Sequence, residues 1–163
     1  MAHVESRLAE LGLTLPAPMR LPAGAQPKWR QVRVIGNRVV IAGHGPRAVD
    51  GSFAGPAGKV GRDLTLEQGH NAAKLTGLAI LADLKDELGD LDRVIGWVRI
   101  FGMVNSADGF VAQAAVIDGF TDLMIQLYGQ DSALCPRAVA GVAELAFDSP
   151  VIIEGEAMIE ADQ

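Results

Sequence analysis

A single cysteine, Cys135, stands in the 163-residue chain, which excludes an internal disulfide and any cysteine-rich metal centre. Only three histidines occur, His3, His44 and His70, and none is spaced from another as a ligand pair would be. Positive charge is scarce too: 14 lysines and arginines face 20 aspartates and glutamates, a formal net charge of −6. Such a chain offers no basic stripe for nucleic acid. The longest apolar run, around Leu75 to Leu84, is too short for a bilayer. The first ten residues alternate charged and apolar positions without the apolar core of a secretory signal. A cytoplasmic protein is expected, with no resident cofactor or metal, no membrane and no nucleic-acid partner.

What is present is enough for one domain with a single core: nearly half of the residues are apolar. Val4, Leu8 and Leu11 share a helical face and Gly12 follows, which predicts a short helix over 3–11. Pro16, Pro18, Pro22 and Pro27 then forbid helix and predict an extended arm, either laid across the domain surface or mobile. The chain thus divides into an arm, 1–28, and a folded unit, 29–163. Trp29–Ile35 and Arg38–Gly43 alternate as strands around Gly36-Asn37, a two-residue hairpin turn. That turn sets Ile35 opposite Arg38, Gln31 opposite Ala42 and Trp29 opposite His44, and the period of two puts Trp29, Gln31, Ala42 and His44 on one face. The glycine-rich run that follows, to Gly61, lacks a Gly-Lys-Ser/Thr ending and is no phosphate-binding P-loop.

Thr65 and Gln68 form a capping box that opens a helix to about Leu88, with Ala73, Gly77, Ile80, Leu81, Leu84 and Leu88 as its buried stripe. Ile95–Val104 reads as a strand apolar on both faces, with Val98, Ile100 and Val104 on one and Trp97, Phe101 and Met103 on the other. A second helix over about 110–128 is expected, capped by Ser106 or Asp108. Two more strands, Ala138–Leu145 and Val151–Ile159, flank a turn at Asp148-Ser149-Pro150. The order β-β-α-β-α-β-β predicts an α+β fold: a mixed sheet with two long helices on one face. No third helix is available for the other face. Burying a Trp or Phe is worth about 1.5–3 kcal/mol, so neighbouring subunits are expected to cover that face with their own sheets.

Clustered charge within core-like sequence occurs in one stretch, Cys135 to Glu160. Arg137 follows Pro136 at a strand start; a guanidinium fork for a small carboxylate and a surface ion pair are both open to it. Glu154 and Glu156 share a strand face with Ile152 and Met158, as an acid/base pair or as the wet side of a strand. His44, between two glycines, is a ligand-facing donor or a turn histidine. Trp29 is a ligand platform or core. Cys135, two residues before Arg137, is a thiol activated by that cation or an inert small hydrophobe.

The ordered set "LAELGLTLP" (Leu8–Pro16), "GKVGRDLTLEQG" (Gly58–Gly69), "GDLDRV" (Gly89–Val94), "FGMVNSADGF" (Phe101–Phe110) and "GVAEL" (Gly141–Leu145) resembles a divergent branch of the Rid family, the reactive intermediate deaminases, also called YjgF-like or L-PSP endoribonuclease-like. The resemblance implies a chorismate-mutase-like α+β fold. It also implies a homotrimer whose sheets form a central barrel, with three ligand clefts between subunits. Arg137 then matches the arginine that grips a substrate carboxylate, Glu154 the glutamate of the last strand, and Gly43 the glycine of the second hairpin strand. Trp29 stands where archetypal members have a tyrosine, Ala42 where they have a serine, Val139 where they have a cysteine, and His44 where they have a glutamine. The implied reaction hydrolyses a 2-imino acid or its enamine to a 2-oxoacid and ammonia. Three polar groups of the archetype are thus replaced, which leaves a non-catalytic trimeric binder of a small carboxylate or aromatic metabolite as the alternative. An endoribonuclease fits the charge least.

Overall fold

The computed structural model describes residues 3–21 and 23–160. Pro22 of the expected arm, and the ends of the two expected units at 1–2 and 161–163, lie outside them. The elements are α1 (His3–Glu10), β1 (Val32–Ile35), β2 (Arg38–His44), α2 (Leu66–Leu88), β3 (Val94–Asn105), α3 (Gln113–Tyr128), α4 (Gln130–Ala133), β4 (Arg137–Val142) and β5 (Val151–Ile159). They build one five-stranded sheet in the order β1-β2-β5-β3-β4. Only β3 and β4 run parallel, and α3 with α4 carries the crossover between them.

Local chemistry explains most boundaries. The Gly36-Asn37 turn joins β1 to β2 with Ile35 opposite Arg38, and Gly36 has the positive φ, 62°, that such a turn requires. Thr65 accepts from the Gln68 backbone N–H while the Gln68 side chain accepts from the Thr65 N–H, which closes the capping box of α2; Gly89, left-handed, ends the helix. The start of α3 differs from expectation. Neither Ser106 nor Asp108 caps it: Ala112 precedes the first turn, and Gln113 donates to the Phe110 carbonyl and the Ser106 hydroxyl instead.

Both long helices pack on one face of the sheet. Ile100, Val104, Ile153 and Ala157 point into the core beneath Ile80, Leu84, Ile117, Phe120 and Met124. The helices cross closely because Gly119 of α3 sits against the backbone of His70 in α2, where an added β-carbon would lie 2.8 Å from the His70 carbonyl carbon. The arm and α1 lie on this layer: Val4 and Leu8 are buried, Arg7 donates to the Leu127 carbonyl at the end of α3, and Ala17 and Arg20 donate to the carbonyls of Val49 and Gly51.

Of the register shifts in the sheet, two change the faces of residues singled out in the sequence. Between Ile41 and His44 of β2 the pairing with β5 advances two residues while β2 advances three, a β-bulge. His44 therefore turns to the helix side and is buried, rather than sharing a face with Ala42 and Trp29. A second shift between Trp97 and Arg99 of β3 does the same for Trp97. Its ring is buried edge-on against Phe120 and Tyr128, at centroid distances of 5.3 and 6.4 Å, not on the face of Phe101 and Met103 as expected.

Candidate ligand-binding site

The face of the sheet away from the helices carries Val40, Ile152, Glu154, Glu156, Met158, Phe101 and Met103, all partly exposed. Glu154 lies at its centre. The bulge sets two residues, Ala42 and Gly43, opposite Glu154 on one side, and Phe101 pairs with it on the other. Gly43 has no room for a side chain toward this face, since an added β-carbon would meet Ile152 Cγ2 at 2.9 Å. Glu154 has no hydrogen-bond or ion-pair partner among the described residues, whereas Glu156 accepts from Arg38 at 3.2 Å. Of the two carboxylates, Glu156 is thus paired within the chain and Glu154 is the one left half-buried without a partner among the described residues.

Beside Ala42, an open groove of about 620 Å³ runs between Trp29 and the first hairpin. Pro27, Lys28, Trp29, Arg30, Arg33, Val40 and Ala42 line it. Trp29 lies in a bend before β1, is 53% exposed and does not pair with His44. It is not core. The predicted pairing of Gln31 with Ala42 does form, through Ala42 N–H donating to the Gln31 carbonyl at 2.9 Å.

Arg137 and Val139 are elsewhere. They occupy the edge strand β4 and face the helix side: Val139 packs on the core, and Arg137 donates to Thr121 Oγ1 at 2.9 Å and Asp118 Oδ1 at 2.6 Å on α3. The Arg137 side chain is over a quarter exposed. Nearby Cys135 is half-buried, and burial pushes its thiol up from its ordinary value more than the Arg137 charge draws it down. The thiol is not activated.

The chain thus assembles Ala42, Gly43, Glu154 and Trp29 at one place and Arg137 with Val139 at another, while His44 joins neither. Each His44 ring nitrogen faces an acceptor: Nδ1 is 2.6 Å from the Ala42 carbonyl and Nε2 is 2.9 Å from Asp83 Oδ2. Arg47 donates to both oxygens of Asp83, at 2.8 and 2.7 Å. Burial alone would raise the Asp83 carboxyl, but the hydrogen bonds from Arg47 and His44 outweigh it and hold it at about 2. This triad ties the bulge to α2. Asp83, an acid between Leu81 and Leu84 in an apolar helix run, was the sequence signal for it.

Fold and site together place the chain in a known class. It belongs to the YjgF/chorismate mutase-like, putative endoribonuclease family, whose match spans residues 5–148. The Trypanosoma cruzi protein TCP17 is 31% identical over 160 residues, covering 97% of this chain and 94% of its own. Among solved structures, the Agrobacterium tumefaciens protein Atu1372, of unknown function, is 33% identical with a TM-score of 0.84 over 97% of this chain and 94% of its own. A putative endoribonuclease from Shewanella oneidensis MR-1 is 25% identical, with a TM-score of 0.85 over 96% and 99%. Among the described residues no helix is long and apolar enough to cross a membrane.

Proposed function

We propose that the chain forms a homotrimer that binds a small carboxylate metabolite in clefts between subunits and hydrolyses 2-imino acids, or their enamine tautomers, to 2-oxoacids and ammonia. One observation carries this reading: the two halves of the candidate site lie far apart in a single copy. Strands are spaced about 4.8 Å apart, so β2 and β4, three steps apart in the sheet, are separated by about 14 Å. Arg137 and Glu154 also lie on opposite faces. A ring of copies that brings the β4 edge of one against the β2–β5 face of the next completes the constellation and covers Phe101, Met103 and Ile152.

In this cleft the Arg137 fork holds the substrate carboxylate, and Thr121 and Asp118 orient it. Glu154, without a protein partner, accepts a hydrogen bond from water and aims its lone pair at the imine carbon. Addition of water forms a C–O bond and delivers a proton to nitrogen; collapse of the tetrahedral intermediate breaks the C–N bond and releases ammonia. Positioning supplies most of such an acceleration. A second reading, a non-catalytic trimeric binder of a small carboxylate or aromatic metabolite, is favoured by the apolar Ala42 and Val139, which bring no donor to either half. RNA cleavage fits the net charge of −6 least.

Imines generated in situ by an amino-acid oxidase provide the test. The wild-type chain should accelerate ammonia release, and Arg137→Ala should lower that rate by a hundredfold or more, roughly the effect of removing a positioning group. No acceleration with short, branched or aromatic imines, alongside carboxylate binding that Arg137→Ala abolishes, would leave the binder.

A further inference from the structure

Of the 14 lysines and arginines, those with no hydrogen-bond or ion-pair partner among the described residues are Lys28, Arg30, Arg33, Lys74 and Arg99. Three of these five line the single groove beside Ala42. In a chain of net charge −6, acids are abundant, and outside the groove Arg20, Arg38, Arg47, Lys59, Arg62, Lys85 and Arg137 each pair with one, while Lys74 and Arg99 stand singly. Only in the groove do three unpaired cations gather: none of its lining residues is acidic, and the carboxylate opposite Val40 across the sheet, Glu156, is held by Arg38. Unpaired like charges gathered on one wall repel one another, and that repulsion is relieved when an anion binds. Trp29, more than half exposed beside them, adds an aromatic face.

We propose that this groove selects ligands with a second acidic group, so that the site takes dicarboxylates of the 2-oxo or 2-imino class in preference to monocarboxylates. The proposal rests on the reading of the site given above: Arg137 of one copy takes the carboxylate next to the reacting carbon, and Arg30 and Arg33 of the next take the distal one. Arginine suits this task because its planar fork matches a carboxylate. Arg33, paired with Val40 across the hairpin, has its position fixed by β1–β2 register. Val40 supplies an apolar strip beneath the methylene chain that joins the two acids.

Calorimetric titration of the full-length chain with 2-oxoglutarate and with 2-oxovalerate tests this. The two share a five-carbon 2-oxo chain, and the second has a methyl group in place of the distal carboxylate. At low ionic strength 2-oxoglutarate should bind about tenfold more tightly, and the preference should shrink as salt screens the distal contact. The double variant Arg30→Gln, Arg33→Gln should abolish the preference and leave 2-oxovalerate binding within about twofold. Equal affinities in the wild type, or a preference that survives the double variant, overturns the proposal and leaves the carboxylate site intact. Failure of both ligands to bind, with no change in Arg137→Ala, overturns the reading of the site itself. A short RNA that displaces 2-oxoglutarate at lower concentration than any dicarboxylate also overturns the proposal, because the cations would then serve a phosphate backbone.

Discussion

Asp83 takes three hydrogen bonds from two side chains, and all three residues are buried at the junction of β2, the loop after it and α2. Removing the acid from such a cluster strands a cation in low dielectric, so Asp83→Asn should cost about 3–5 kcal/mol in urea unfolding. The exposed Arg137–Asp118 pair, broken by Asp118→Asn, should cost no more than about 1 kcal/mol. The pH dependence follows from the sign of the shift. The carboxyl is lower in the folded chain, about 2, than its ordinary 3.8, so its contribution is fully present above pH 4 and disappears as pH falls toward 2. The wild-type advantage over Asp83→Asn in urea midpoint should therefore narrow between those values and be constant above them. His44 belongs to this cluster, which its sequence neighbours did not announce. The residue type and its two flanking glycines were legible, but its orientation depends on a bulge, and a bulge is set by the partner strand.

At the scale of elements, what local chemistry dictates was readable and what pairing dictates was not. The Gly36-Asn37 turn, the Thr65–Gln68 box and the Gly89 stop each act within a few residues, and each stands where the sequence put it. The bulges at Ala42–Gly43 and Trp97–Arg99 reverse the faces of His44 and Trp97, because strand alternation fails where two residues oppose one. The separation of Arg137 from Glu154 was equally hidden: the strand expected at Ala138–Leu145 forms as Arg137–Val142 and Val151–Ile159 forms as expected, and only the order β2-β5-β3-β4 shows that the sheet divides them. The α2–α3 crossing gives a sharp test. An alanine at Gly119 would place its methyl against the His70 backbone, and neither helix can yield without disturbing Ile117 and Phe120 beneath. Gly119→Ala should destabilise by about 1–3 kcal/mol, the range for overpacking, although alanine is the better helix former. A urea midpoint equal to or above wild type would mean that the helices are not so closely apposed.

For the whole molecule, one face of the sheet is sealed by helices and the other is a half-exposed apolar surface centred on Glu154, which has no partner among the described residues. The proposed homotrimer would cover that surface and complete the scattered site in one step. Light scattering at micromolar concentration should give three times the 17.1 kDa of the chain, and Met103→Glu, which sets a charge on the open face, should shift it toward monomer. The central claim is that each site draws Arg137 from one copy and Glu154 from another, and subunit mixing addresses it most directly. Arg137→Ala and Glu154→Gln chains are each expected to release ammonia from imines at background rate. Unfolded together in equal amounts and refolded, random trimers should carry both native groups in about a quarter of their clefts, with activity recovered in proportion. Mixed trimers that form but stay at background would contradict a site shared between subunits.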